Sequence, residues 1–305
     1  MMRSRSGFHF QPIDAALLLM TVIWGSNFTL VKLAVRDIPE LPFNGLRLLI
    51  ASAAFLLALA AREGRQKLTG AEWRRIVELG VVGHFVYQLC FLGAVARTTV
   101  ANNSLIFAFT PATVALLTAA LGHERIPASR WVGALISLAG IYLVVGASGA
   151  AAGASRLGDL LSVGAMLCWT IYTVGARSLL ETRSPLLVTG YSMTIGALLY
   201  LPVAWSGLRS LAWTEVRAAA WAALLASALL ALFVAYVIWY TAVQKLGGSR
   251  TAVYSNITPL VAMVVAAIWL GEPLTLPKLA GAGAVIAGVA ITKLERRDMP
   301  PPVEA

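Results

Sequence analysis

Charge is what this sequence has least of. Lys, Arg, Asp and Glu make up 12% of its 305 residues, against about 25% in an ordinary soluble domain. Hydrophobic residues account for 59% of the chain, so it cannot be solvated as a globule. Cysteine is nearly absent. Cys90 and Cys168 both lie inside apolar runs, which excludes a disulfide framework and leaves no metal-binding spacing. The three histidines, His9, His84 and His123, are scattered. No Gly-rich Walker loop is present, which argues against direct use of ATP. We expect no cofactor and no metal.

The net charge of +10 would suit a nucleic-acid partner if the basic residues shared one face. They sit instead at the ends of apolar runs, where they anchor topology. No nucleic-acid partner is expected. Residues 1–12 are polar and basic, with Arg3 and Arg5. The apolar run at 13–35 is too long for a secretory signal and contains Trp24, Asn27 and Lys32, so it reads as a retained first span.

A helical span needs roughly 20 mostly apolar residues. Ten candidates occur, at about 13–35, 43–61, 75–96, 99–121, 130–147, 159–177, 185–205, 217–243, 249–270 and 277–293. Long continuous runs favour helices over a barrel, whose strands alternate over about ten residues. The expected fold is an all-α integral membrane bundle of ten transmembrane helices in the lipid bilayer. With the N-terminus inside, sixteen Lys and Arg fall on inside segments and seven outside, Arg47 uncounted. Both termini are therefore expected to be cytoplasmic. No Asp or Glu sits unambiguously in mid-span.

The chain repeats itself. Thr110-Pro111 and Glu124 recur 148 residues on as Thr258-Pro259 and Glu272, and Gly133 and Gly140 recur as Gly281 and Gly288. Asp14, Trp24 and Lys32 are answered 145 residues on by Asp159, Trp169 and Arg177. Five spans per half is odd, so the second half enters the membrane from the opposite side. An inverted repeat of this kind is a hallmark of transporters, because two equivalent halves facing opposite ways can exchange conformations. The expected division is a segment 1–12, repeats 13–147 and 159–293, and a tail 294–305.

WGSNF at 24–28 followed by Lys32, Arg47 in the second span, the repeated Pro-x12-Glu and the Gly-rich fifth and tenth spans resemble the EamA family of the drug/metabolite transporter superfamily. The resemblance covers about residues 13–293. It implies ten spans, a plasma-membrane location and export of small metabolites, often amino acids or related compounds. The second half departs from the pattern. Trp169-Thr170-Ile171-Tyr172 replaces Trp-Gly-Ser-Asn, and Gly190 stands where a partner of Arg47 is expected.

Candidate substrate residues are the polar and aromatic groups on span faces. Polar side chains in spans face the interior or a wet cavity. His84 and Gln88 are four apart in the third span, as are Tyr236 and Tyr240 in the eighth. Trp24 and Asn27 lie in the first span, Trp169 and Tyr172 in the sixth. Asn102 and Asn103 precede Pro111; Tyr254 and Asn256 precede Pro259. Aromatic rows also serve as packing or lipid-facing surface. An aromatic pocket with few charges suits a small amphipathic or zwitterionic solute. Arg47 could hold a substrate carboxylate or a fixed internal partner. His84 could carry a proton or pack as a neutral ring. Pro111 and Pro259 break their helices, either as hinges facing a cavity or as static kinks. Glu124 and Glu272 read as structural, capping the next helix or pairing with Arg125 or Lys278. Small-residue rows in the fifth and tenth spans could join the halves or form a dimer; monomer and homodimer both stay open. An intramembrane enzyme would need a catalytic set, and none is visible. A non-transporting membrane protein leaves the repeat unexplained.

Overall fold

The computed structural model describes residues 11–64, 66–121, 155–246 and 257–294, with isolated positions at 132–143 and 251–255. All regular structure among these residues is helical. Helix α1 (Pro12–Ala34) opens on a proline, whose missing N–H is one the first turn would leave unpaired anyway. It is followed by α2 (Glu40–Arg62). Helix α3 (Gly70–Gly80) starts at a reciprocal cap: Thr69 Oγ1 accepts the Glu72 N–H at 3.2 Å, and Glu72 accepts the Thr69 N–H at 2.7 Å.

From α3 the chain continues through a π-helical segment, Val81–Val86, into α4 (Tyr87–Arg97). The second half repeats this device. Helix α9 (Ala218–Ala226) passes through a π segment, Ser227–Val234, into α10 (Ala235–Leu246). Wide turns of this kind re-aim side chains and are frequent at functional sites.

The Thr-Pro repeats also act alike. Helix α5 (Val100–Phe107) stops, and α6 (Thr110–Ala120) restarts with Pro111 as its second residue. Pro111 has no N–H for the Phe107 carbonyl, and Thr110 Oγ1 donates to that carbonyl instead, at 2.6 Å. Thr258-Pro259 also opens α11 (Thr258–Leu270), with proline second, but the Thr258 hydroxyl has no hydrogen-bond partner among the described residues. The remaining helices are α7 (Arg156–Leu180), α8 (Pro185–Ser210) and α12 (Leu276–Leu294).

Among the described residues, seven helical rods are long and apolar enough to cross a membrane, and two shorter apolar helices cover Thr258–Leu270 and Leu276–Gly288. The expected fifth span, 130–147, falls largely outside the described residues. The surface is inverted relative to a soluble protein. Leu57 is 71% exposed and Ile268 72% exposed, while Asn44, Gln88 and Asn103 are fully buried. Outward apolar and inward polar side chains are what a lipid solvent selects.

Packing between the halves is reciprocal. Helix α1 lies on α11, while α7 lies on α5 and α6; α2 lies on α8. The small-residue rows join the two halves here. A Cβ on Gly140 would stand 2.9 Å from the Gly281 carbonyl oxygen and 3.0 Å from Ala284 Cβ. Glu272 is structural, but the helix that it caps is not the expected one. Its carboxylate does not cap the helix that follows it. It accepts the N–H groups of Val100 and Ala101 at 2.9 and 3.3 Å, at the start of α5, and lies 3.6 Å from Lys32 Nζ. Lys32 also donates to the Thr98 carbonyl. The start of α5 in the first repeat was left with unpaired amide donors, and a carboxylate from the second repeat fills that place. Its sequence counterpart Glu124 lies outside the described residues.

Candidate functional site

A cavity of about 80 Å³ lies where α1, α2, α4, α5, the start of α6, α7, the second π segment, α10 and α11 converge. One buried water needs roughly 10–15 Å³, so there is space for a small solute. Eight of the nineteen described wall residues are aromatic. Trp24 meets Trp169 edge-on with ring centroids 5.7 Å apart, and Tyr236 at 6.0 Å. Trp239 leans against Trp24 at 5.4 Å. Pairs in this geometry each contribute about 0.5–1.5 kcal/mol beyond simple burial, so the wall is stiff. The Trp24 indole N–H donates to the Ala231 carbonyl at 2.9 Å, tying the first repeat to the π segment of the second.

Arg47 is the one charged residue among the described wall residues, and it is 1% exposed. Its Nε donates to Asn44 Oδ1 at 3.1 Å, Nη1 to Ser227 Oγ at 3.0 Å and Nη2 to Gln88 Oε1 at 2.5 Å. The guanidinium lies near the rings of Phe43 and Phe91, 5.8 and 5.7 Å from their centroids. Ser227 donates onward to Asn27 Oδ1 at 2.6 Å. Of the internal partners open to Arg47 in the sequence, the described residues provide fixed contacts to the side-chain carbonyl oxygens of Asn44 and Gln88 and no salt bridge. Its partners are neutral side-chain oxygens from both repeats, and its charge is left without a carboxylate.

Six of the sequence candidates line this cavity: Trp24, Asn27, Arg47, Gln88, Trp169 and Tyr236, together with Pro259. His84, Tyr172 and Tyr240 do not. They form a second layer behind the wall, with the His84 ring 4.8 Å from Tyr172 and 5.8 Å from Tyr236, and Tyr172 5.5 Å from Tyr240. Two glycines admit that layer. A Cβ on Gly83 would stand 2.4 Å from the Tyr172 ring, and one on Gly196 2.3 Å from His84 Cβ. Neither His84 ring nitrogen has a hydrogen-bond partner among the described residues.

Asn102 turns to the Asp159 carboxylate at 3.3 Å, beside the Thr98 hydroxyl, which donates to the same carboxylate at 2.6 Å. Asn103 is buried away from the cavity. The Tyr254 hydroxyl donates to Asp14 Oδ1 at 2.5 Å. Asn256 lies outside the described residues. Pro111 is half-buried and does not line the cavity.

The sequence reading missed Trp239, Ser227 and Asn44. Trp239 is three residues from Tyr236 and shares its helix face, so its signal was present. Ser227 and Asn44 are also polar residues in apolar helices, but neither falls on a repeated spacing that would single it out.

The comparisons follow the same halves. The chain is 27% identical over 281 residues to an "Uncharacterized transporter" of Archaeoglobus fulgidus, covering 92% of this chain and 98% of that protein. It is 27% identical over 276 residues to a "Probable terminal-alkyne amino-acid exporter" of Streptantibioticus cattleyicolor, covering 90% and 91%. A solved crystal structure of a protein 20% identical superposes with a TM-score of 0.66, over 92% of this chain and 98% of that one. The profile of the EamA-like transporter family matches twice, at residues 11–146 and 156–294. This multi-pass membrane protein therefore belongs to the EamA-like transporter family, one family unit in each half of the chain.

Proposed function

We propose that the protein is a secondary transporter that exports small metabolites, amino acids or related compounds, by alternating access. The observation that carries this reading is the cavity itself. It is walled by both repeats, sits inside an apolar bundle, and contains a buried cation held by neutral groups from both halves. Moving one repeat against the other would change access to it from either end. The paired Thr-Pro breaks and paired π segments lie where such motion needs adaptable helix, and Pro111 and Pro259 are the proposed hinges. The printed name of the Streptantibioticus cattleyicolor relative supports amino-acid-like cargo.

In this reading ten spans form two inverted five-helix repeats, at 13–147 and 159–293. Both termini are cytoplasmic and the location is a bacterial inner membrane. The test is counterflow in proteoliposomes with labelled amino acids, nucleosides and small amines. Saturable uptake of one class, lowered by substitution of Trp24 or Arg47, is expected. Absence of uptake for every class from folded protein would count against it.

A further inference from the structure

We infer that the cavity recognises its solute through a carboxylate, and that its apolar body, not an ammonium group, fills the remaining space. The inference rests on the transporter reading for its physiological role, though not for the binding itself.

The wall is a set of donors around a fixed positive charge. A guanidinium has five N–H groups. Asn44, Ser227 and Gln88 take three of them, which leaves two. Four more groups on wall residues are buried with no hydrogen-bond partner among the described residues: Gln88 Nε2, Trp239 Nε1 and the hydroxyls of Tyr236 and Thr258. Buried polar atoms are rarely left this way, and here the residues that carry them line one cavity and all the orphans are able to donate. An oxyanion accepts several such bonds at once and neutralises the arginine, whose partners are otherwise uncharged.

An amine fits none of this. The described wall carries no Asp or Glu, so an ammonium would stand beside Arg47 with no acid to offset it. The rest of the surface, including Trp24, Trp169 and Phe91, offers rings to a hydrocarbon body. Lysine at position 47 would keep the charge but lose the planar fork that matches a carboxylate.

The test compares four compounds on one five-carbon skeleton, valerate, norvaline, valeramide and pentylamine, with the full chain in nanodiscs. Tryptophan fluorescence reports occupancy, since Trp24, Trp169 and Trp239 line the cavity, and thermal unfolding gives an independent readout. Valerate is expected to bind saturably and raise the unfolding temperature. Norvaline should bind about tenfold more weakly, a difference of about 1.4 kcal/mol. Valeramide and pentylamine should produce neither response. Arg47→Gln should abolish the valerate response and Arg47→Lys weaken it. Gln88→Leu, which removes one orphan donor and one arginine partner, should weaken it as well and decides the matter if Arg47→Gln does not fold.

The inference is overturned if pentylamine or valeramide binds as well as valerate, if valerate binding survives Arg47→Gln, or if none of the four binds. Counterflow of the same compounds separates the two readings. Pentylamine exchange would sink the carboxylate inference and keep the transporter. Valerate binding without exchange of any compound would keep the inference and remove the transporter.

Discussion

The Glu272 carboxylate accepts the Val100 amide N–H at 2.9 Å across 172 residues of chain. It works as a cap supplied by the other repeat. With Lys32 at 3.6 Å and Lys32 itself bound to the Thr98 carbonyl, it holds the start of α5, the end of α1 and the end of α11 together. Cap removal typically costs about 1 kcal/mol. Glu272→Gln should lower the unfolding temperature modestly. It should also speed labelling of Ala231→Cys, a cavity position, by a thiol reagent added from the Glu272 end, in a background lacking Cys90 and Cys168. Unchanged labelling would mean that this contact does not govern access.

Ser227 joins two networks, accepting from Arg47 at 3.0 Å and donating to Asn27 at 2.6 Å. Its removal strands a buried donor and a buried acceptor, at about 1–3 kcal/mol for a buried group left unsatisfied. Ser52 is also buried, but its hydroxyl has no partner among the described residues. Ser227→Ala should therefore destabilise the protein measurably, while Ser52→Ala should be neutral or stabilising. Thermal unfolding of the two variants checks this; equal shifts would contradict the network.

Gly196 lets α8 approach the first π segment. An added Cβ would lie 2.3 Å from His84 Cβ and 2.8 Å from the His84 carbonyl carbon. Backbone does not yield as a flexible side chain does, and overpacking a close contact costs about 1–3 kcal/mol. Gly196→Ala should lower folded yield and unfolding temperature. Gly164→Ala is the contrast, since its Cβ would sit 3.5 Å from the Cys90 sulfur, an ordinary contact.

Much of this site could be read before the fold was seen, for a definable reason. Asn27, Arg47 and Gln88 are polar residues in apolar helices, where lipid exposure is costly, so their inward direction follows from chemistry. The layer behind them could not be separated from the wall by period alone. His84 is four residues from Gln88 and Tyr240 four from Tyr236, yet each pair spans both layers. Gly83 and Gly196 decide that depth, through contacts with helices far away in sequence. The Thr-Pro breaks were legible because proline acts on its own backbone. The Glu272 cap was not, because its partner is an amide of the opposite repeat. The π segments carried no compositional mark at all.

Asp37, in the turn after α1, receives Arg217 Nε at 2.7 Å and Nη2 at 2.6 Å. Hydrogen bonding to the Arg217 guanidinium holds the Asp37 carboxyl below its ordinary value. A carboxylate depressed in the folded state contributes stability that is fully present above the unfolded value, about 3.9. That contribution is lost as pH falls through the lower folded value. Wild type and Asp37→Asn should differ in unfolding temperature by a small, constant amount from pH 5 to 7, because exposed ion pairs contribute little, and the difference should vanish in stronger acid. A gap that widened on acidification would have the wrong sign.

The prolines give the sharpest test of motion. At Pro111 the Phe107 carbonyl has lost its amide partner and takes the Thr110 hydroxyl instead. Pro111→Ala restores an N–H there and should let α5 and α6 fuse into one rod, raising the unfolding temperature. Thr110→Val removes only the hydroxyl and should lower it. Stability and transport then separate the two readings of the break. A static kink predicts that Pro111→Ala transports at the wild-type rate or simply misfolds. A hinge predicts a folded, more stable protein whose counterflow rate falls while its substrate affinity holds, because the rod can no longer bend between states. Pro259→Ala should slow counterflow as well, and should also shift affinity, since Pro259 lines the cavity and Pro111 does not. Wild-type rates in both variants would remove the hinge assignment and leave Arg47 and its aromatic wall as the substance of the site.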